Sequence, residues 1–257
     1  MAGTLVDGFV VHELMPDMAI AVTGAMPALS PEIDATVERL WQAGIARVAA
    51  GGAGRLFNGR VFSADSITPG LITGHLTEFR RVVAQMEDPA MFEVLGIRPL
   101  AVCGVLCCKD GIAVGRRPSG AVYQGGMWQL PPAGSVDAGA VREGNRIDLR
   151  GQILAELNEE LGLPASSVTS VKPICLVEHP GSHVSDLGIS LECPLSGEAV
   201  LAAHRTSGND EYSPLLVIGR RELDRFVSQA GDLLVPPARV FLGRLGLLSC
   251  PARSDGK

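Results

Sequence analysis

The sequence predicts an α+β protein in which a sheet is covered by helices on both sides, preceded by a small α+β unit. Two observations carry this. From about residue 96 onward, short β-branched or aliphatic runs alternate with helical patterns, the arrangement that buries both faces of a sheet. Hydrophobic residues make up 46% of the 257 and charged residues 19%, so a substantial core is available. The expected division is a small N-terminal domain over 1–95, a main domain over 96–250 and a polar tail over 251–257.

"GFVVHEL" and "DMAIAVTG" read as the opening strands. A helix follows, with Ser30 as N-cap, Pro31 in the first turn, and Ile33, Val37, Leu40 and Trp41 at helical spacing. The cluster "AAGGAGR" ends it and reads as a plain loop, since no Gly-Lys-Ser/Thr follows to make a phosphate loop. Next comes a hairpin turning at Pro69-Gly70, then a helix with Thr77 as cap and Glu78 in its first turn. None of this carries a catalytic signature.

"IRPLAVCGVLCCKDGIAVGRRP" begins the main unit with two strands around a Lys-Asp-Gly turn, ending at Arg116 and Arg117. After "MWQLPPAGSVD" and a polar stretch comes the helix "GQILAELNEELGLP". Two strands, "SVKPICLVEH" and "SDLGISLECPL", lead to a helix capped by Ser196. A further strand in "EYSPLLVIG" and helices in "RRELDRFVSQAG" and "PPARVFLGRLGLL" complete the pattern.

Composition excludes some functions. A formal charge of −6 argues against a nucleic-acid binder, which needs basic stripes to displace counterions from phosphates. It leaves phosphorylated small molecules open, because a divalent cation inverts the local field. No apolar run approaches the roughly 20 residues that span a bilayer, and the N-terminus lacks the basic start of a signal peptide. The expectation is a cytoplasmic protein without a membrane partner; a homodimer is left open. Cys103, Cys107, Cys108, Cys175 and Cys193 fall in apolar, strand-like segments and read as reduced core residues.

The helix "GQILAELNEELGLP" is electrostatically odd. Gly162-Leu163-Pro164 stops it, so Glu156, Glu159 and Glu160 crowd its last two turns. Like charges three and four apart cost roughly 0.2–0.5 kcal/mol per pair, and the negative end of the helix dipole adds roughly 0.3–1 kcal/mol. Two readings are open: a solvated acidic face, or a site for a hard cation, since Mg²⁺ takes carboxylate oxygens and keeps several waters.

The neighbouring residues favour the second reading. "GSVD" after "WQLPPA", followed by "AELNEELGL", resembles the Nudix hydrolase signature G-x5-E-x7-R-E-U-x-E-E-x-G-U, with U a bulky aliphatic. Glu156, Leu157, Glu159, Glu160, Gly162 and Leu163 fall on its second half. The first half departs. With Gly134 as the motif glycine, Ala140 stands for the first glutamate and Ala155 for the arginine, with 14 residues between them instead of 7. Asp137, Glu143 and Asp148 are the carboxylates available to substitute. The small N-terminal unit, the strand ending in "GRRP", the inserted loop and "DLGISLECPLSGEAVLAAH" resemble in layout the branch that hydrolyses UDP-glucose and UDP-galactose.

The resemblance implies an α/β/α sandwich with a mixed sheet and a metal-dependent pyrophosphohydrolase. Glu159 and Glu160 would hold Mg²⁺ or Mn²⁺, Glu156 would join them or orient the attacking water, and main-chain groups around Gly134 would complete the shell. A late-loop carboxylate is expected too, Glu211 or its neighbour Asp210. Arg116 or Arg117 suits a diphosphate grip, since guanidinium matches phosphate oxygens in pairs. Tyr123 and Trp128 are candidates to stack on a base, Trp128 also fitting the core, and His179 and His183 are candidate polar contacts or structural residues. The implied reaction cleaves a nucleoside diphosphate-linked substrate, a UDP-sugar first, to a nucleoside monophosphate and a sugar 1-phosphate. The alternatives are another diphosphate, prenyl or biosynthetic, and an inactive nucleotide-binding relative.

Overall fold

A computed structural model describes residues 3–6, 8–51 and 56–249. Residues 52–55 of the glycine-rich loop and the polar tail over 251–257 lie outside the described residues.

In chain order the first elements are β1 (Thr4–Val6), β2 (Phe9–Glu13), β3 (Ala19–Val22), α1 (Pro31–Ala50), β4 (Arg60–Ile67), β5 (Leu71–Glu78), α2 (Phe79–Glu87) and a short α3 (Phe92–Leu95). The helix α1 starts where its cap predicts, with Ser30 Oγ accepting the Ile33 N–H at 3.3 Å, and it buries Val37, Leu40 and Trp41. The cap expected at Thr77 is corrected: β4–β5 pairing runs on to Glu78 opposite Arg60, so the ladder holds Thr77 extended and buried, and Glu78 precedes the helix.

The rest comprises β6 (Leu100–Cys107), β7 (Gly111–Arg116), β8 (Trp128–Gln129), β9 (Ala133–Ser135), β10 (Val141–Arg142), β11 (Arg146–Ile147), α4 (Leu149–Leu161), β12 (Ser170–Glu178), β13 (Ser185–Glu192), α5 (Gly197–Ser207), β14 (Leu215–Gly219), α6 (Leu223–Ala230) and α7 (Pro236–Arg244). Among the described residues the strands form two sheets. The larger runs β1-β2-β12-β13-β6-β7-β14, with β8 beside β7 and β9 beside β6; β13–β6 is parallel and the other pairings are antiparallel, so the sheet is mixed.

Strand alternation sorts the core into two layers. Leu100, Val102 and Leu106 of β6, with Leu187, Ile189 and Leu191 of β13, pack on Ile153, Leu157 and Leu161 of α4 and Val200 of α5. Cys103, Val105 and Cys107 face the other way, onto Val227 of α6 and Ala238 and Phe241 of α7. The result is the expected sandwich of helices on both sides of a mixed sheet. All five of the named cysteines are buried and free, and no described helix is long and apolar enough to cross a membrane.

Strands cross the expected 95/96 boundary in both directions. The smaller sheet runs β10-β11-β3-β5-β4, so the polar insertion before α4 supplies two of its strands through Arg146 opposite Ala21. In return β1 and β2 extend the larger sheet, Val11 pairing with Val177. Exposed backbone edges on each unit are covered by a strand from the other, so the units interlock rather than follow one another.

Candidate functional site

The glutamate helix is fixed at both ends. Asp148 caps α4 by accepting the Gly151 N–H at 2.8 Å, and Gly162, at φ 65°, ends it in the left-handed conformation that favours glycine. Because Ile153, Leu157 and Leu161 are wholly buried, the intervening face carrying Glu156 and Glu160 is pressed against β9. One Glu160 oxygen accepts the Ala133 N–H at 3.0 Å. Its other oxygen, Oε1, is buried with no hydrogen-bond partner. Glu156 accepts from Gln152 Nε2 at 2.7 Å and lies so near Gly134 that a Cβ there would come within 2.2 Å of its Oε1. Glu159 is exposed on the adjoining stripe.

Electrostatics follow from this crowding. Burial pushes the Glu156 carboxyl up to about 7, opposed by the Gln152 hydrogen bond and reinforced by the charges of Glu159, Glu211 and Asp137. Glu160 is raised well above the ordinary carboxylate range, first by burial and then by Glu211 and Glu156. Glu211 is also raised, by burial, against the pull of Arg117, whose Nη2 lies 3.9 Å from its Oε1. These carboxylates share one field, with Arg117 the cation facing them from the cavity wall.

Arg117 is itself oriented: its Nη1 donates to Gln129 Oε1 at 2.5 Å, and the buried Tyr212 hydroxyl donates to the same oxygen at 3.3 Å. Gln129, on β8, had no sequence signal, since its value lies in the β7–β8 pairing that sets it opposite Gly115. Arg116 points elsewhere, donating from Nε to the Gly126 carbonyl at 3.1 Å, its guanidinium 5.8 Å from the Trp128 ring centroid. Trp128 packs edge-on against Phe226, with the α6–α7 layer.

Arg117, Gln129, Gly134 and Glu211 line a cavity of about 220 Å³, together with Tyr123 and Asp186. Asp186 Oδ2 lies 2.6 Å from His179 Nε2, and His179 Nδ1 lies 3.0 Å from the Tyr123 hydroxyl. Parallel β6–β13 pairing, a non-local feature, brings Asp186 to Ala101 on the cavity floor. His183 instead stacks on Phe92, ring centroids 3.4 Å apart, and contacts Glu178.

Among the substitute carboxylates, Asp148 serves as the α4 cap, within 3.4 Å of Arg142, Glu143 is exposed, and Asp137 acts on Glu156 through its charge. Ala140 is buried in the core beside Ile153 and Leu157, whereas Ala155 is exposed. Asp210 is exposed, while Glu211 reaches the cavity.

Among the described residues no three His, Cys, Asp or Glu side chains converge as a preformed metal shell. The donor set still fits a hard divalent cation: Glu160 Oε1 is a buried acceptor with no hydrogen-bond partner, the charge of Arg117 offsets it less than burial and its carboxylate neighbours oppose it, and Glu156, Glu159 and Glu211 act on the same region.

No family profile matches the chain, and no curated protein matches it. Among solved structures it is similar to a bifunctional NMN adenylyltransferase/ADP-ribose pyrophosphatase from Francisella tularensis, complexed with AMP and a manganese ion. The identity is 14% over 63% of this chain and 47% of that one, with a TM-score of 0.43. It is also similar to DR0079 from Deinococcus radiodurans (15% identity, 51% and 82% covered, TM-score 0.29). A third is Tm1382, provisionally a Nudix hydrolase (13% identity, 77% and 94% covered, TM-score 0.43). The chain spans about half the length of the first of these. Such distant overlaps assign neither family nor activity, so the functional reading stands on the chain's own residues.

Proposed function

We propose that this chain is a divalent-cation-dependent pyrophosphohydrolase of the Nudix type that cleaves a nucleoside diphosphate-linked substrate, a UDP-sugar being the first to test. One observation carries the reading: Glu160 is 1% exposed, yet one carboxylate oxygen has no partner and the other is held by a single backbone N–H beside the cavity. Burying an ionised carboxylate with only the weaker pull of Arg117 to offset it is costly, and a bound cation would remove that cost.

Glu156, Glu159 and Glu160, with Glu211 of the cavity lining, would hold Mg²⁺ or Mn²⁺. Such an ion neutralises charge on phosphoryl oxygens and lowers the pKa of a bound water. The protein's own part is positioning, which dominates phosphoryl transfer. Arg117, oriented by Gln129, offers its guanidinium to the diphosphate. Glu156, beside Gly134 and hydrogen-bonded to Gln152, would either join the ion's ligands or orient the attacking water. Water oxygen bonds to one phosphorus as the bridging P–O bond breaks, and the released phosphate keeps the bridging oxygen.

The test is release of monophosphate by the full chain, with Mg²⁺ or Mn²⁺, from a panel of NDP-sugars, dinucleotides, nucleotides and prenyl diphosphates. Turnover that disappears in folded Glu160→Gln supports the reading, and silence across the panel overturns it. A second reading, binding without hydrolysis, is motivated by Ala140 and Ala155, which stand where the motif carries glutamate and arginine; it expects nucleotide binding with no turnover to lose.

A further inference from the structure

We infer that the cavity receives the glycosyl group of the substrate, held by hydroxyl hydrogen bonds to Asp186, and that the nucleoside lies outside it. This rests on the proposed diphosphate hydrolysis for the location of the reacting end.

Size comes first. At about 220 Å³ the cavity falls below the roughly 300–1,000 Å³ of sites that enclose a drug-sized ligand. Its enclosed part therefore suits one compact moiety, and the rest of a longer ligand would lie outside it. Position comes second. Gly134, against which Glu156 packs, lies on β9 opposite Val102 of β6, and Asp186 lies on β13 opposite Ala101 of the same strand. With strands about 4.8 Å apart, Asp186 sits roughly 10 Å across the sheet from the β9 end. Asp186 shares the sheet face of Cys103 rather than that of α4, yet it lines one cavity with Arg117, Gly134 and Glu211, so a diphosphate beside Arg117 leaves its attached group in the space Asp186 borders.

Chemistry comes third. Asp186 is 7% exposed and lines the cavity; its Oδ2 is held by His179, while its Oδ1 has only the weak Cys103 thiol at 3.4 Å. An ionised carboxylate accepts about four hydrogen bonds, so acceptor capacity is left on the cavity side. Another phosphate would be repelled there, and an apolar group would leave it unmet. A nucleobase presents acceptors as well as donors, and its acceptors would face the Asp186 carboxylate. The lining combines the aliphatic Val82, Met86, Val122 and Val184 with the rings of Phe79 and Tyr123. Vicinal hydroxyls, donors that also pack an aliphatic ring face, suit both surfaces. His179 and Tyr123 act here as positioning residues that fix the Asp186 rotamer.

Methyl NMR of the full chain labelled at methionine tests this with Mg²⁺ present. Met86 lines the wall, and its resonance is assigned by Met86→Leu. Glucose 1-phosphate should shift the Met86 methyl saturably, and UMP or inorganic phosphate should not. The apparent affinity should weaken at least 10-fold in Asp186→Asn and in the cavity-filling Val82→Phe, each judged folded by its other methyl signals. An equal or larger response to UMP, or no response to glucose 1-phosphate, overturns the inference. Turnover of UDP-sugars without a glucose 1-phosphate response would sink this inference alone. A Met86 response with no turnover of any substrate would sink the hydrolase reading alone.

Discussion

Gly134 and Glu156 occupy one space: a Cβ on Gly134 would stand 2.2 Å from the Glu156 carboxylate oxygen. A side chain at 134 is accommodated only if the Glu156 carboxylate shifts from its place beside Gln152. Gly134→Ala should destabilise the chain by about 1–3 kcal/mol, the usual range for overpacking. In a Glu156→Ala background the same change should cost less than half as much. Urea unfolding of the double-mutant cycle measures the coupling, and additive effects would refute the contact.

Glu160→Gln should leave metal-free stability at pH 8 unchanged or raised by about 1 kcal/mol, because it removes a buried carboxylate whose Oε1 has no hydrogen-bond partner. The wild-type chain should gain thermal stability on adding Mg²⁺ or Mn²⁺; the variant should gain much less. Calorimetry with and without the ion checks both halves, and equal gains would remove Glu160 from the binding set.

Metal-free stability should fall as pH rises from about 5 to 8. Burial raises the Glu156 carboxyl from 4.5 to about 7, so between those values the folded chain binds more protons than the unfolded one. The stabilisation is complete below 4.5 and is lost as pH passes through 7. That span corresponds to up to about 3 kcal/mol. Glu160, raised in the same direction by burial, adds to the decline. Glu156→Gln should flatten the slope over this range in denaturant titrations, and an unchanged slope would assign it to other groups.

Restoring the motif should have opposite outcomes at its two departures. Ala140→Glu places a carboxylate in an apolar cluster where Ala140 is 2% exposed, and should cost about 3 kcal/mol or more. Ala155→Arg changes an exposed helix position, and should stay within about 0.5 kcal/mol. Thermal unfolding of the two variants distinguishes them, and an Ala140→Glu variant as stable as the wild type would show that the insertion can rearrange.

Local rules carried much of this protein. Ser30 as cap, Gly162 as stop and the Pro69-Gly70 turn were legible because each depends on neighbours a few residues away. The grouping of Glu156 with Glu160 followed from helical spacing alone, and so did the conflict of their charges with the helix end. Thr77 misled because strand pairing with Val61 outweighed its capping tendency. Other features waited for contacts distant in sequence. Only pairing could bring Asp186 to Ala101, seat Gln129 beside Arg117, turn Arg116 away and lend the insertion's strands to the smaller sheet. Spacing along the chain determines which side chains share a helix face; it does not determine which of a carboxylate's two oxygens is buried without a partner. That depends on the surface packed against the helix, and in this protein it is β9, whose Ala133 N–H meets one oxygen of Glu160 and leaves the other unmet.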